Sequence, residues 1–97
     1  MIAPIQTTDL PALAALIYPV GAYRVILPDA APDSEAVLAQ ALVPWVRGGG
    51  RGFGYHAGGA LRACLLWHQG GEEVLLLYVA PTWRRRVTIA FAVDDTT

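Results

Sequence analysis

The chain has 97 residues, of which 55% are hydrophobic and 15% charged, and seven basic residues stand against eight acidic ones. This composition excludes a disordered chain, and the length predicts one domain over residues 1–97. A net charge of −1 gives no positive field for nucleic acid or anionic lipid, so neither is expected as a partner. No apolar stretch reaches 18 residues and no leader pattern opens the chain, so we expect a cytoplasmic protein without a membrane span.

The cysteine and the basic residues further restrict which bonds, metal sites and catalytic mechanisms the chain can have. Cys64 is the only cysteine, which excludes an intrachain disulfide, suits a reducing compartment and favours a small buried hydrophobe over a nucleophile. Beside it stand only two histidines, His56 and His68, so no metal site is expected. All seven basic residues are arginines, which excludes Schiff-base chemistry on lysine and leaves anion binding to arginine.

The first half of the chain predicts a short strand and two helices. The strand covers residues 2–5, and Thr8 followed by Asp9 offers a cap and a first-turn carboxylate for a helix through residue 18. Asp33 or Ser34 caps the second helix, in which Pro44 predicts a kink or an early stop near residue 43. Both helices carry an apolar stripe at helical spacing, which is expected to face the core. Residues 23–27 between them are expected to be irregular. The stripes consist of Leu10, Leu13, Leu16 and Ile17 in the first helix and of Leu38, Ala41, Leu42 and Trp45 in the second.

From residue 52 onward the apolar period changes from about 3.6 to 2, which predicts an antiparallel meander of three strands at residues 53–57, 61–69 and 72–79. Pairs of glycines mark its two turns. The last strand is apolar on both faces, which predicts a central strand covered on each side. The glycines at 48–50, 52 and 54 lack the sequence of a phosphate loop and predict a linker and hairpin entry. Alternation along the middle strand predicts that one face carries Leu61, Ala63, Leu65 and Trp67.

Together these elements predict an α+β fold, in which two N-terminal helices pack against a mostly antiparallel sheet of four or five strands. The meander ends in the sequence Leu77-Tyr78-Val79-Ala80-Pro81-Thr82-Trp83-Arg84-Arg85-Arg86. With this ending the chain resembles the GNAT family of acyl-CoA-dependent N-acyltransferases, and the opening Asp9-Leu10-Pro11-Ala12-Leu13 is similar to the family's first loop and helix. The resemblance covers residues 2–86 and is specific over residues 77–86. It implies an incomplete GNAT-like fold with a divergent tail at residues 87–97.

The resemblance implies a coenzyme site at the end of the last strand. The backbone of Tyr78 and Val79 would run along the pantetheine of acetyl-CoA or another acyl-CoA. Arg84, Arg85 and Arg86 would approach the pyrophosphate, to which arginine binds through charge-assisted bonds. Without the resemblance, three consecutive arginines are more typical of a solvated basic turn.

Two carboxylates at the start of the same strand are the candidate catalytic residues. Glu72 and Glu73 stand where some members of the family have a general base, which would take a proton from the attacking ammonium. Glutamates beside a turn are otherwise simply exposed charges.

The residues after the arginines depart from the family pattern. Val87 and Ile89 stand where the family has two glycines, and residues 87–93 alternate as in a strand instead of a helix. Without the glycines and the helix N-terminus, coenzyme binding is expected to be weak and turnover slow or absent. Residues 87–93 are expected to pair beside the preceding strand or with a second copy, which would give a homodimer.

Two functions follow as hypotheses. The first is an N-acyltransferase domain that transfers an acetyl or other acyl group from acyl-CoA to an amine on a small molecule or a protein. The alternative is a catalytically inactive interaction or dimerisation module, truncated relative to the family, whose exposed apolar sheet or tail pairs with another chain.

Overall fold

Two helices lie on one face of a four-stranded antiparallel sheet in the computed structural model, which describes residues 1–71 and 73–84. This arrangement confirms the predicted α+β class. The predicted residues Glu72, Arg85 and Arg86 and the predicted pairing of residues 87–93 lie outside the described residues. The elements in chain order are β1 (Ile2–Pro4), α1 (Leu10–Ile17), α2 (Glu35–Arg47), β2 (Gly50–Ala57), β3 (Ala60–His68) and β4 (Val74–Val79), and the strands are neighbours in that same order.

The second helix begins as its sequence predicts but ends later. The Ser34 hydroxyl accepts a hydrogen bond from the Val37 N–H at 3.2 Å, which confirms the N-cap. The helix continues through Pro44, so the early stop near residue 43 is wrong. Proline removes only its own bond to the preceding turn, and the Gly48 N–H closes the next turn on the Pro44 carbonyl at 2.9 Å.

The segments flanking α1 differ in detail from the prediction. A 3-10 turn at Thr7–Asp9 precedes the helix, and the Asp9 carboxylate accepts from the Gln6 N–H at 2.8 Å, so the turn begins before Thr8. The segment expected to be irregular forms a second 3-10 turn, Ala22–Val25. Its Tyr23 is buried, which explains why a stretch of loop sequence holds an aromatic residue.

The core lies between the helices and the sheet, and the apolar stripes of both helices supply most of it. Burial of such side chains is the main favourable contribution to folding. None of the helices in the described ranges is long and apolar enough to cross a bilayer. The largest fully buried side chains are those of Leu10, Leu13, Ile17, Leu38, Leu42, Leu66 and Cys64.

A β-bulge in β3 corrects the predicted alternation of that strand. Tyr55 of β2 pairs with Ala63, while the next residue of β2 pairs with Leu61. Arg62 is therefore an extra residue in β3, and it shifts the alternation by one position. As a result Leu61 packs in the core on the helix side of the sheet, and it does not share the face of Ala63 as predicted.

The glycines predicted to form a linker lie partly inside β2. Gly50 begins the strand, and Gly52 pairs with Leu66, whose side chain lies in the core on the helix side. A Cβ atom on Gly52 would stand 2.5 Å from Cδ2 of Leu66, and one on Gly50 would overlap the ring of Trp45. Glycine is needed here because the packed side chains lie directly against the strand backbone.

β4 pairs with β3 alone among the described strands and lies at the edge of the sheet that they form, so the predicted central position would need a further strand outside the described residues. Its two apolar faces have different surroundings. Leu76 and Tyr78 pack toward the helices, whereas Val74 and Leu77 are 56% and 50% exposed. The sheet face opposite the helices is called the open face below, and the register places on it Phe53, Tyr55, Ala63, Leu65, Trp67, Val74, Leu77 and Val79.

Candidate functional site

The antiparallel register brings two separate segments together at the end of β4. The Ala80 N–H donates to the Arg62 carbonyl at 2.8 Å, which continues the pairing of Val79 with Ala63. The chain then turns through the 3-10 turn Pro81–Trp83, whose last N–H donates to the Ala80 carbonyl at 2.8 Å. The bulged arginine and the turn therefore flank the end of the strand.

In β4 the backbone N–H and C=O groups of successive residues point alternately toward β3 and toward the edge of the sheet. Because Ala80 bonds to β3, the alternation of an antiparallel ladder also directs the backbone of Tyr78 toward β3. The N–H and C=O groups of Leu77 and Val79 then point to the edge of the sheet, where none of the described strands pairs. In agreement, the Arg84 Nε atom donates to the Val79 carbonyl at 3.4 Å.

The two residues predicted to line the pantetheine thus have different environments. Val79 presents its backbone N–H at the edge, at the point where the strand ends. The Tyr78 backbone faces β3, and its half-buried side chain packs on the core between sheet and helices. The geometry offers Val79 and Leu77, and not Tyr78, as backbone partners for an extended ligand.

Two arginines stand at this end of the strand. Arg84, one of the three predicted arginines, is exposed and reaches back to the strand carbonyl. Arg62 was not singled out for this site by the sequence. Its Cζ atom lies 5.2 Å from the ring centroid of Trp83, and its Nε donates to the Ala57 carbonyl at 3.0 Å. Counting antiparallel pairs back from the turn at Gly70 and Gly71 would have placed Arg62 opposite the end of β4. We call Arg62, Val79, Ala80, Trp83 and Arg84 the strand-end site.

A cavity of about 340 Å³ adjoins the strand-end site. One wall comes from α1 and carries the small side chains of Ala12 and Ala15 together with Leu16. The other wall comes from the β2–β3 turn and the first residues of β3, including Arg62, together with Ala80 after β4. Its volume falls in the lower range of small-molecule sites, and its lining combines small apolar side chains with polar groups, among them the guanidinium of Arg62.

The candidate carboxylate lies at the opposite end of β4. Glu73 is exposed and lines a surface groove of about 400 Å³ with His68, Gly71 and Leu75. Val79 lies six positions further along the chain than Glu73, which corresponds to about 20 Å of extended strand. General base catalysis requires a hydrogen bond to the reacting group, directly or through one water. The structure therefore does not bring Glu73 together with the strand-end site.

Cys64 is a core residue whose thiol is less acidic than an ordinary thiol. Burial raises the pKa of its thiol to about 12, and a backbone hydrogen bond with Tyr78 acts in the opposite direction without offsetting the burial. The thiol stays protonated at neutral pH and is not available as a nucleophile. Within the described ranges, no three His, Cys, Asp or Glu side chains come together as a metal site.

Comparison with solved structures supports the fold. The chain is similar to the crystal structure of a possible acetyltransferase from Clostridium difficile 630, with a TM-score of 0.64 and 13% sequence identity. The match covers 99% of this chain and 67% of that chain. No family model matches the chain, and no curated protein sequence matches it. At this identity the likeness concerns the fold, and the α+β fold of this chain is one that a possible acetyltransferase also has.

Proposed function

We propose that this chain is a GNAT-like N-acyltransferase domain, which binds an acyl-CoA at the end of β4 and transfers the acyl group to an amine. The observation that carries the proposal is the outward-facing backbone of Val79 at the strand end, with two arginines beside it. The fold shared with a possible acetyltransferase supports the same class of reaction.

The edge of β4 suits the pantetheine part of a coenzyme. Pantetheine contains two amide groups, which bind to a strand edge as the backbone of another strand would. Leu77 supplies an N–H and a C=O group on this edge, two residues before Val79, whose carbonyl accepts from Arg84 and whose N–H also points outward. The thioester would then lie near the strand-end site, and the polyphosphate would lie toward the arginines.

Arginine side chains would hold the pyrophosphate. Arg84 follows the turn directly, and Arg85 and Arg86 follow it in sequence. Each charge-assisted hydrogen bond contributes about 1.5 to 3 kcal/mol, which is enough for measurable binding without a glycine-rich loop. Exposed charges are screened by salt, so the affinity should fall as ionic strength rises.

The proposed chemical step is direct attack of the amine nitrogen on the thioester carbonyl carbon. The new C–N bond forms, the C–S bond breaks, and the coenzyme leaves as a thiolate that takes up a proton from solvent. The N–H of Val79 would donate to the carbonyl oxygen as negative charge develops on it. The attacking amine would lose its proton to solvent, because Glu73 lies about 20 Å along the strand from Val79.

Calorimetric titration of the full chain with acetyl-CoA tests the proposal. We expect binding at about ten micromolar or weaker, because the loop glycines are replaced, and a loss of affinity at high salt. Arg84→Ala should weaken binding about tenfold, which corresponds to one lost charge-assisted bond. Arg47→Ala is the matched control, since Arg47 is exposed at the end of α2. Absence of binding, or equal effects of the two variants, would contradict the proposal.

One observation favours the inactive interaction module as a second candidate. Phe53, Val74 and Leu77 are 37%, 56% and 50% exposed on one side of the sheet. An apolar surface of this kind often binds a partner. This candidate requires that acetyl-CoA does not bind and that the open face is free for another chain, so calorimetry separates the two functions.

A further inference from the structure

The cavity between α1 and the β2–β3 turn has no part in the proposed acyl transfer. Its volume is about 340 Å³. Ala12 and Ala15 of α1 are exposed beside it, and a Cβ atom on Gly59 in the turn would meet no atom within 4 Å, so the cavity opens to solvent. A site of this size admits a small molecule from solution. The side chains that line the cavity determine which class of molecule can bind.

Arg62 supplies the charge of this cavity. Among the described residues that line it, Arg62 alone has a polar side chain. The other lining side chains are apolar, and most of them are no larger than that of alanine. A ligand in the cavity therefore meets one cation and a wall of mostly small apolar side chains, and it meets no acidic side chain of the described residues.

Two contacts hold the guanidinium group of Arg62 in place. Its Nε atom donates to the Ala57 carbonyl at 3.0 Å, and its Cζ atom lies 5.2 Å from the ring centroid of Trp83. An arginine normally loses rotamer freedom when it binds a ligand, and these contacts have already removed much of that freedom. A side chain that is fixed in advance binds a ligand more tightly than a mobile one.

The two Nη groups of the same side chain are available to a ligand. Neither donates a hydrogen bond to a described residue, and no described carboxylate forms an ion pair with Arg62. The residue is half-buried, and a partly buried charge without a counter-charge favours the binding of an anion. The paired Nη groups form a planar fork, which matches the two oxygens of a carboxylate.

We infer that this cavity binds a small carboxylate with a short apolar body. The carboxylate lies on the Nη groups of Arg62, and the body lies against Ala12 and Ala15 of α1. One guanidinium balances one negative charge, so a monoanion fits better than a phosphate dianion, and a cationic ligand would be repelled. The inference does not depend on a coenzyme at the edge of β4.

NMR titration of the full chain with butanoate tests this site. The control ligand is 1-butylamine, which has the same hydrocarbon body and the opposite charge. We expect butanoate to shift the amide signals of Ala15, Ala60 and Arg62 with a Kd of about 1 to 10 mM at low salt. Butylamine should bind at least about ten times more weakly. Equal affinities for the two ligands, no saturable shifts with butanoate, or shifts confined to residues outside the cavity would overturn the inference.

A variant of the arginine tests the role of its charge. Arg62→Gln removes the cationic fork and should weaken butanoate binding at least about tenfold. Arg47→Gln is the matched control, because it removes the same charge from an exposed position at the end of α2. The NMR spectrum of each variant also shows whether that variant is folded. An unchanged affinity in Arg62→Gln, or an equal loss in both variants, would contradict the inference.

A second variant tests the apolar wall and leaves Arg62 unaltered. Ala15→Leu places a larger side chain in the cavity, and because Ala15 is exposed on α1, the core is not disturbed. Ala36→Leu makes the same change at an exposed position of α2 that does not line the cavity. We expect Ala15→Leu to weaken butanoate binding several-fold and Ala36→Leu to leave it unchanged. Full affinity in Ala15→Leu would mean that butanoate binds elsewhere and would overturn the inference.

Discussion

The guanidinium group of Arg62 lies over the indole ring of Trp83, with its Cζ atom 5.2 Å from the ring centroid. The same side chain donates from Nε to the Ala57 carbonyl at 3.0 Å. Arg62 is the extra residue of the bulge, so one irregularity in β3 connects the β2–β3 turn to the turn that follows β4.

Replacing this arginine should cost stability. Arg62→Ala removes a cation–π contact and a hydrogen bond from a charged donor, and we expect a loss of about 1 to 2 kcal/mol in the free energy of unfolding. Arg62→Lys keeps the cation but not the Nε bond, so it should lose about half as much. Urea denaturation measures both variants. A stability of Arg62→Ala equal to that of the unaltered chain would mean that the contact makes no net contribution.

Alanine substitutions at two glycines of β2 should lower the stability of the protein by different amounts. In Gly52→Ala the new Cβ would lie 2.5 Å from Cδ2 of Leu66 and 2.9 Å from the carbonyl oxygen of Leu65, which cannot move aside without disturbing the sheet. We expect a loss of about 1 to 3 kcal/mol. In Gly54→Ala the nearest atom is Cδ1 of the Leu61 side chain, at 2.7 Å. That side chain can shift, so this variant should lose less, and thermal melting of the two proteins decides the order.

The buried thiol predicts a dependence of stability on alkaline pH. The pKa of Cys64 is about 12 in the folded chain and near 9.0 for an ordinary thiol. The unfolded chain therefore releases this proton first, and the thiol's contribution to stability, complete below pH 9, is lost as pH rises toward 12. The loss is about 1.4 kcal/mol per pH unit between these values.

Cys64→Ala removes this titration and is the control. The free energy of unfolding of the unaltered chain, followed by urea denaturation from pH 8 to 10.5, should fall more steeply than that of the variant. Parallel pH profiles for the two proteins would show that the thiol is not buried as described.

The candidate base can be tested separately from coenzyme binding. Because Glu73 lies about 20 Å along the strand from Val79, Glu73→Gln should change the rate of acetyl transfer less than twofold. The release of coenzyme thiol measures this rate, and Glu35→Gln, at the start of α2, is the control for a lost surface charge. A tenfold loss in Glu73→Gln alone would place the thioester near the start of β4 instead.

Local sequence signals predicted the elements and the antiparallel meander, but not the register between the strands. Ser34 as a cap and the apolar stripes of the helices follow from side-chain chemistry within a few residues, and the structure confirms them. The bulge at Arg62 is a property of two strands together, so the alternation of β3 alone could not show it. The glycines of β2 carry no apolar signal, and for that reason the sequence predicts a strand only from residue 53 and a linker before it.

The strand-end site was also predictable only where it depends on local sequence and not on the pairing of strands. The position of Val79 at the end of a strand was predictable from the run of apolar residues before Pro81. The approach of Arg62 was not, because it depends on a backbone bond between Ala80 and a residue 18 positions earlier in the chain. The outward direction of the Val79 N–H depends on the same bond. Alternation alone does not say which residues of a strand bond to the neighbouring strand, so one hydrogen bond has to be known first.

Because Trp45 packs on Gly50, its fluorescence can serve as an intrinsic probe of this protein. The indole lies directly against the strand backbone, where any side chain on residue 50 would overlap it. Trp45 belongs to α2 and Gly50 begins β2, so the environment of this one indole reports whether the helix is seated on the sheet. With Trp67 and Trp83 replaced by phenylalanine, a red shift of the remaining emission during unfolding would time the separation of α2 from the sheet.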